Sequence, residues 1–142
     1  MTDLMTRRAS AVSAATDRFL LNDEDPLAFA QMAQRLQSFL APVGPLEEHL
    51  CQHLCRTIWR QDRGQRFERE LLDGLRKSRP EPDGTSPTLS AITRDGHGPR
   101  VFPTIIRYQA HTATEFHRTL HMLSVLQERR LGEDAPTALL LR

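Results

Sequence analysis

The residues best suited to chemistry lie in one short run, EEHLCQHLCRTIWRQ, from Glu47 to Gln61. His49, Cys51, His53 and Cys55 fall within seven residues of one another. Two thiols and two imidazoles form a zinc ligand set, and zinc draws its four ligands to about 2.0–2.3 Å in a tetrahedron. The surrounding pattern is helical, and a helix dictates where each side chain points. With Leu50 at zero and about 100° per residue, Leu54 falls at about 40°, Ile58 at about 80° and Leu46 at about −40°. That stripe predicts the core face. Cys51 and Cys55 fall at about 100° and 140° on one border, and His53 and His49 at about −60° and −100° on the other. One helix therefore cannot aim these four at a single ion. A Cys2His2 zinc site would need a second helix, and His117 and His121 form an i,i+4 pair suited to face Cys51 and Cys55. The favoured expectation is simpler: reduced thiols at a core border, partly exposed histidines and no cofactor.

The next signal is a run of arginines. Arg60, Arg63, Arg66 and Arg69 recur every three residues, interleaved with Asp62, Glu68 and Glu70. A three-residue step drifts by about 60° against the helix, so the four wrap around half the cylinder. Ion pairs on a solvated helix surface account for this pattern. Contact with nucleic-acid phosphates is the functional alternative, with Arg7 and Arg8 on the N-terminal arm adding to it. Trp59 and Tyr108 lie off the apolar stripes of their segments, and such aromatics either cover a wider core or build an interface between subunits. The sequence holds no glycine-rich phosphate loop, HExxH or GxSxG. RDGHG, from Arg94 to Gly98, places a histidine between glycines without an identified partner. No catalytic residue and no small-molecule substrate is assigned.

Three segments must position these residues. Asp25 followed by Pro26 predicts a helix start, a capping carboxylate and then proline in the first turn. Leu27, Phe29, Ala30, Ala33, Leu36, Phe39 and Leu40 recur at helical spacing up to APVGP, so this helix covers about 26–40. A second helix runs over about 45–77 on Leu46, Leu50, Leu54, Ile58, Phe67, Leu71, Leu72 and Leu75, with Gly64 as a candidate bend. Residues 78–102 are rich in proline, glycine and aspartate and predict a loop, with one short helical turn at SPTLSAIT. Ile105, Ile106, Ala113, Phe116, Leu120 and Leu123 predict the last helix, about 103–130. Residues 1–17 read as an N-terminal arm and 131–142 as a loose tail.

Bulk properties agree with one helical domain over 18–130. The chain has 142 residues, with 39% hydrophobic and 26% charged, the size and balance of a single globular unit. The net charge of +1 produces no global field toward polyanions or membranes. Two cysteines build no disulfide framework, and no segment suits a signal peptide or a membrane span. A cytoplasmic protein with no membrane partner is the expectation.

The stretches LLNDEDPLAF, LAPVGPLEEHL, IWRQDR and IIRYQA…FHRTLHMLSVLQ resemble, in the same order, a group of small helical bacterial proteins. These carry a pattern like L-P-G-E-D-P-x-x-F, then L-x-P-x-G-x-L-E, W-R-x-x-R, R-Y-E and L-x-x-L-Q. The resemblance covers roughly residues 18–128 and implies a fold, not an activity. The N-A-x-x-H-G segment of that group is replaced here by SAVSAA, and Cys51, His53 and Cys55 stand where the group carries apolar or small residues. The expected architecture is all-α: an antiparallel long-helix hairpin with a shorter N-terminal helix packed on it, self-associating. The expected role is a binding or assembly module, a homo-oligomer, with nucleic acid as a partner through the arginine-bearing helix. The rival readings are the zinc-binding protein and a purely structural helical oligomer.

Overall fold

The computed structural model describes residues 19–77, 86, 88, 90, 92, 93, 95 and 100–131. The arm 1–17, most of the loop 78–102 and the tail beyond Leu131 lie outside the described residues. Helix α1 spans Pro26–Leu40, α2 spans Gly44–Lys77 and α3 spans Val101–Leu131. The described residues contain no strand.

Each helix begins and ends for a local chemical reason. Asp25 Oδ1 accepts from the Leu27 N–H at 2.8 Å and opens α1 ahead of Pro26. Ala41 closes it in the left-handed region at φ 42°, its N–H donating to the Gln37 carbonyl. Glu47 reaches back to accept from the Val43 N–H at 2.9 Å, as the acid of a capping box does at the start of α2. The start of α3 is capped from outside the helix. Buried Asp95 accepts from the Val101 N–H at 3.0 Å and the Phe102 N–H at 2.7 Å, quenching two of the donors a helix start leaves open. This cap sets the start of α3 two residues earlier than periodicity alone suggests. In the loop, the Ser90 N–H donates to the Ser86 carbonyl at 3.1 Å, consistent with the helical turn read at SPTLSAIT.

Contacts along the helices fix their directions. Glu47 meets Arg130, Arg60 meets Glu115 and Glu68 meets Gln109, so α2 and α3 run antiparallel. Phe29 packs on Trp59 and Cys55 approaches Ala33, so α1 also runs antiparallel to α2. The up-down-up bundle agrees with the hairpin-plus-helix architecture expected from the sequence. Its apolar cluster joins Leu40 of α1, Leu50, Cys51 and Leu54 of α2, and Leu120 and Leu123 of α3. Leu40, Leu54 and Leu123 are sealed from solvent, each contributing about 1.5–3 kcal/mol by burial.

Three details depart from the sequence reading. Gly64 is not a bend: α2 is continuous, and a Cβ there would sit 3.0 Å from Gln109 Cγ and 3.3 Å from Tyr108 Cδ1. Glycine lets α3 approach. The core of α2 is also wider than its leucine stripe and is displaced toward the cysteines, because α1 and α3 cover two different sides. Leu27, Phe39, Leu46 and Ile106, all assigned to apolar core faces, are exposed.

Candidate functional site

The most heavily built polar cluster centres on Glu24, just before α1. Its side chain is fully enclosed. Oε1 accepts from Arg63 Nε at 3.0 Å and Arg66 Nη2 at 2.5 Å. Oε2 accepts from Arg63 Nη2 at 2.6 Å and the Leu21 N–H at 3.0 Å. Arg63 Nη2 also donates to the Phe19 carbonyl, and its guanidinium lies 5.1 Å from the Phe19 ring centre. Burial pushes the Glu24 carboxyl up. The Arg63 hydrogen bonds, the Leu21 N–H and the Arg63 charge together outweigh burial and bring it down to about 2. The Trp59 indole N–H also favours the ionised carboxyl, from outside hydrogen-bonding geometry. Four donors occupy both carboxylate oxygens, so Glu24 is engaged in structure and not open to a ligand. The cluster fastens residues 19–24 to the middle of α2.

Two of the four arginines read as phosphate contacts are therefore part of this fastener. Arg60 is the third to be occupied, since it donates to Glu115 at 2.8 Å and stands 5.5 Å from the Tyr108 ring centre. Arg69 lines a shallow surface hollow with Gln65, Glu68, Leu72, Asp73 and Arg76. The four do not form a common cationic surface. Their partners Glu24 and Glu115 lie tens of residues away in sequence, so only folding brings them into view.

Cys51 and Cys55 are buried and unbridged. The hydrogen bond to Cys51 pushes the Cys55 thiol well up, and burial adds to it. The Cys55 thiol also lies 4.0 Å from the Ala33 carbonyl. His117 and His121 are exposed on α3, and His49 is exposed on α2. The interhelical Cys51–Cys55–His117–His121 arrangement is thus not assembled. The thiols turn inward and the imidazoles outward, and among the described residues no three His, Cys, Asp or Glu side chains group as metal ligands would. Trp59 and Tyr108, expected as core cover or interface, are half-buried within the bundle. Trp59 meets the Phe29 ring edge-on at 5.4 Å between centroids, and Tyr108 packs beside Gly64.

A second cluster ties the other end of the bundle. Arg130 donates to both oxygens of Glu47, at 3.1 and 2.9 Å. These bonds hold the Glu47 carboxyl below its ordinary range, against the upward push of burial. Gln127 Nε2 donates to the Leu40 carbonyl at 2.6 Å, serving an open acceptor at the end of α1. Neither Glu24, Gln127 nor Asp95 carries a sequence signal for these roles, because each partner is distant or on another element.

Part of the surface that remains available to a partner is apolar. A surface hollow of about 430 Å³ runs along α1, lined by Ala28, Gln31, Met32, Arg35, Leu36 and Phe39 with Ile58 of α2. Phe39 in this hollow keeps 46% of its surface exposed, Leu27 near the start of α1 72%, and Val43 and Leu46 after the helix 58% and 56%. These side chains lie on α1 or within six residues of its end. No helix among the described residues is long and apolar enough to cross a membrane.

No family model, curated protein or solved structure matches the chain.

Proposed function

We propose that this protein is a non-enzymatic helical assembly module that joins a second copy of itself through the outer face of α1. The observation that carries the reading is the apolar hollow on α1, lined by Met32, Leu36 and Phe39 with Ile58, together with the exposure of Leu27, Val43 and Leu46 on or just after that helix. Exposed apolar surface of this kind marks interaction sites. A net charge of only +1 leaves little repulsion between copies, which favours self-association over a charged partner. Buried Glu24 and Glu47 are both bound by arginines, which supports a module without catalysis. Nucleic-acid contact through Arg60, Arg63 and Arg66 is the lesser reading, since all three engage carboxylates.

Light scattering coupled to size exclusion tests the proposal. The wild-type mass should be at least twice the 16.2 kDa protomer. A Leu27→Glu/Phe39→Glu double variant should elute at one protomer with unchanged helical circular dichroism, because both side chains are exposed and Glu is a good helix former. A monomeric wild-type protein at its highest soluble concentration would overturn the reading. So would a double variant that keeps the oligomer.

A further inference from the structure

The outward side of α3 carries a separate pattern. With Arg107 at zero and about 100° per residue, Arg118 falls at about 20°, Arg129 at about 40°, His111 at about 40° and His121 at about −40°. Arg100 stands immediately before the helix with a left-handed backbone at φ 53°, so the helix geometry does not set its direction. All six side chains are exposed. Buried Ile105, Thr112, Leu123 and Gln127 lie on the opposite side, at about 140–200° on the same wheel. The stripe therefore faces directly away from the bundle. Arg107, Arg118 and Arg129 repeat every eleven residues, or three turns, which keeps them in line at intervals of about 16 Å. From Arg107 to Arg129 the stripe runs about 33 Å.

Carboxylates are missing from its centre. The two on α3 are Glu115 and Glu128, and both fall at its edges. Glu115 is drawn sideways by Arg60, at 2.8 Å, and lies 3.4 Å from His111. A chain with net charge +1 has thus gathered three arginines on one straight face.

We propose that this face of α3 docks on the phosphate backbone of duplex nucleic acid. Charge complementarity names the occupant: duplex DNA presents a dense, regular line of negative charge, about one per 1.7 Å of axis. A rigid stripe of about 33 Å is close to one turn of duplex, about 34–36 Å. An anionic membrane fits less well, because an interfacial helix inserts its apolar face, and the apolar face of α3 is turned into the bundle. Binding is weak and independent of base sequence, since arginines at three-turn intervals meet phosphates and not base edges. This surface lies on a different helix from the α1 assembly face, so either can fail without the other.

Fluorescence anisotropy with a labelled 30-base-pair duplex tests it across a salt series. Three phosphate contacts should give a slope of log affinity against log salt of about −2.7, at about 0.9 per contact. Arg107→Gln/Arg118→Gln/Arg129→Gln should flatten this slope by about 2.7 and weaken two unrelated duplexes alike. The corresponding triple Lys variant should retain most of the binding, and circular dichroism of both should be unchanged. Absence of binding at low salt would overturn the proposal, as would an unchanged slope in the Gln variant. It would also fall if vesicles of anionic phospholipid bind more tightly than the duplex and displace it.

Discussion

At the scale of the residue, Glu24 shows how burial and pairing set a carboxylate's role. Enclosure alone would raise its affinity for a proton, but the Arg63 guanidinium and a backbone N–H reverse the outcome. The folded protein therefore binds this proton more weakly than the unfolded chain does. The stability gained is fully present above a pH of about 4.5 and is lost as pH falls from there through about 2. Lowering the carboxyl from 4.5 to about 2 corresponds to about 3 kcal/mol. Glu24→Gln should destabilise the protein by about 3–5 kcal/mol at neutral pH, since Arg63 stays buried without its counter-charge. The variant should also lose that acid-dependent decline. Urea titrations at pH 7, 4.5 and 3 check both; a variant whose stability tracks the wild type through this range would remove Glu24 as the titrating group.

At the scale of the element, two glycines in α2 look alike in sequence and differ in surroundings. Gly74 is exposed, and an added Cβ would meet nothing within 4 Å. Gly74→Ala should stabilise by about 0.5–1 kcal/mol, the helix-propensity difference. Gly64 sits against α3, where Gln109 and Tyr108 occupy the space. Gly64→Leu should destabilise by at least 1–3 kcal/mol through overpacking, and a T_m raised by both substitutions would refute the close approach. Helix existence, type and approximate ends were legible in the sequence, since Asp25-Pro26, APVGP and the apolar spacings act locally. The cap by Asp95 was not, because its carboxylate serves the Val101 and Phe102 N–H groups, six and seven residues further along the chain. Nor was the wide core face of α2, which includes Thr57 and both cysteines because two helices cover it.

At the scale of the whole molecule, three helices meet through a small apolar cluster flanked by an ion-pair fastener at each end. The Glu47–Arg130 pair and the Gln127–Leu40 bond join all three helices where α1 ends and α2 begins. The proposed α1 interface lies beside this end, so assembly should reinforce it. If copies associate through that face, mass action makes the melting temperature rise with protein concentration. Differential scanning calorimetry over a hundredfold concentration range should show this rise in the wild type and not in Leu27→Glu/Phe39→Glu. A concentration-independent melting temperature in the wild type would count against assembly.

The amino-acid sequence by itself determined the helical class, the number of long segments and their order. Hydrophobic periodicity, capping residues and breakers are short-range effects, and each acts within a few turns. Tertiary structure alone decided which side of each helix is covered, and with it the meaning of nearly every candidate site residue. It turned Cys51 and Cys55 inward and His117 and His121 outward, and joined Arg60, Arg63 and Arg66 to Glu115 and Glu24. It left Leu27 and Phe39 uncovered although their spacing is that of a core. The physical reason is that burial and ion pairing depend on what lies across from a side chain, and in a bundle the opposite residue comes from another helix.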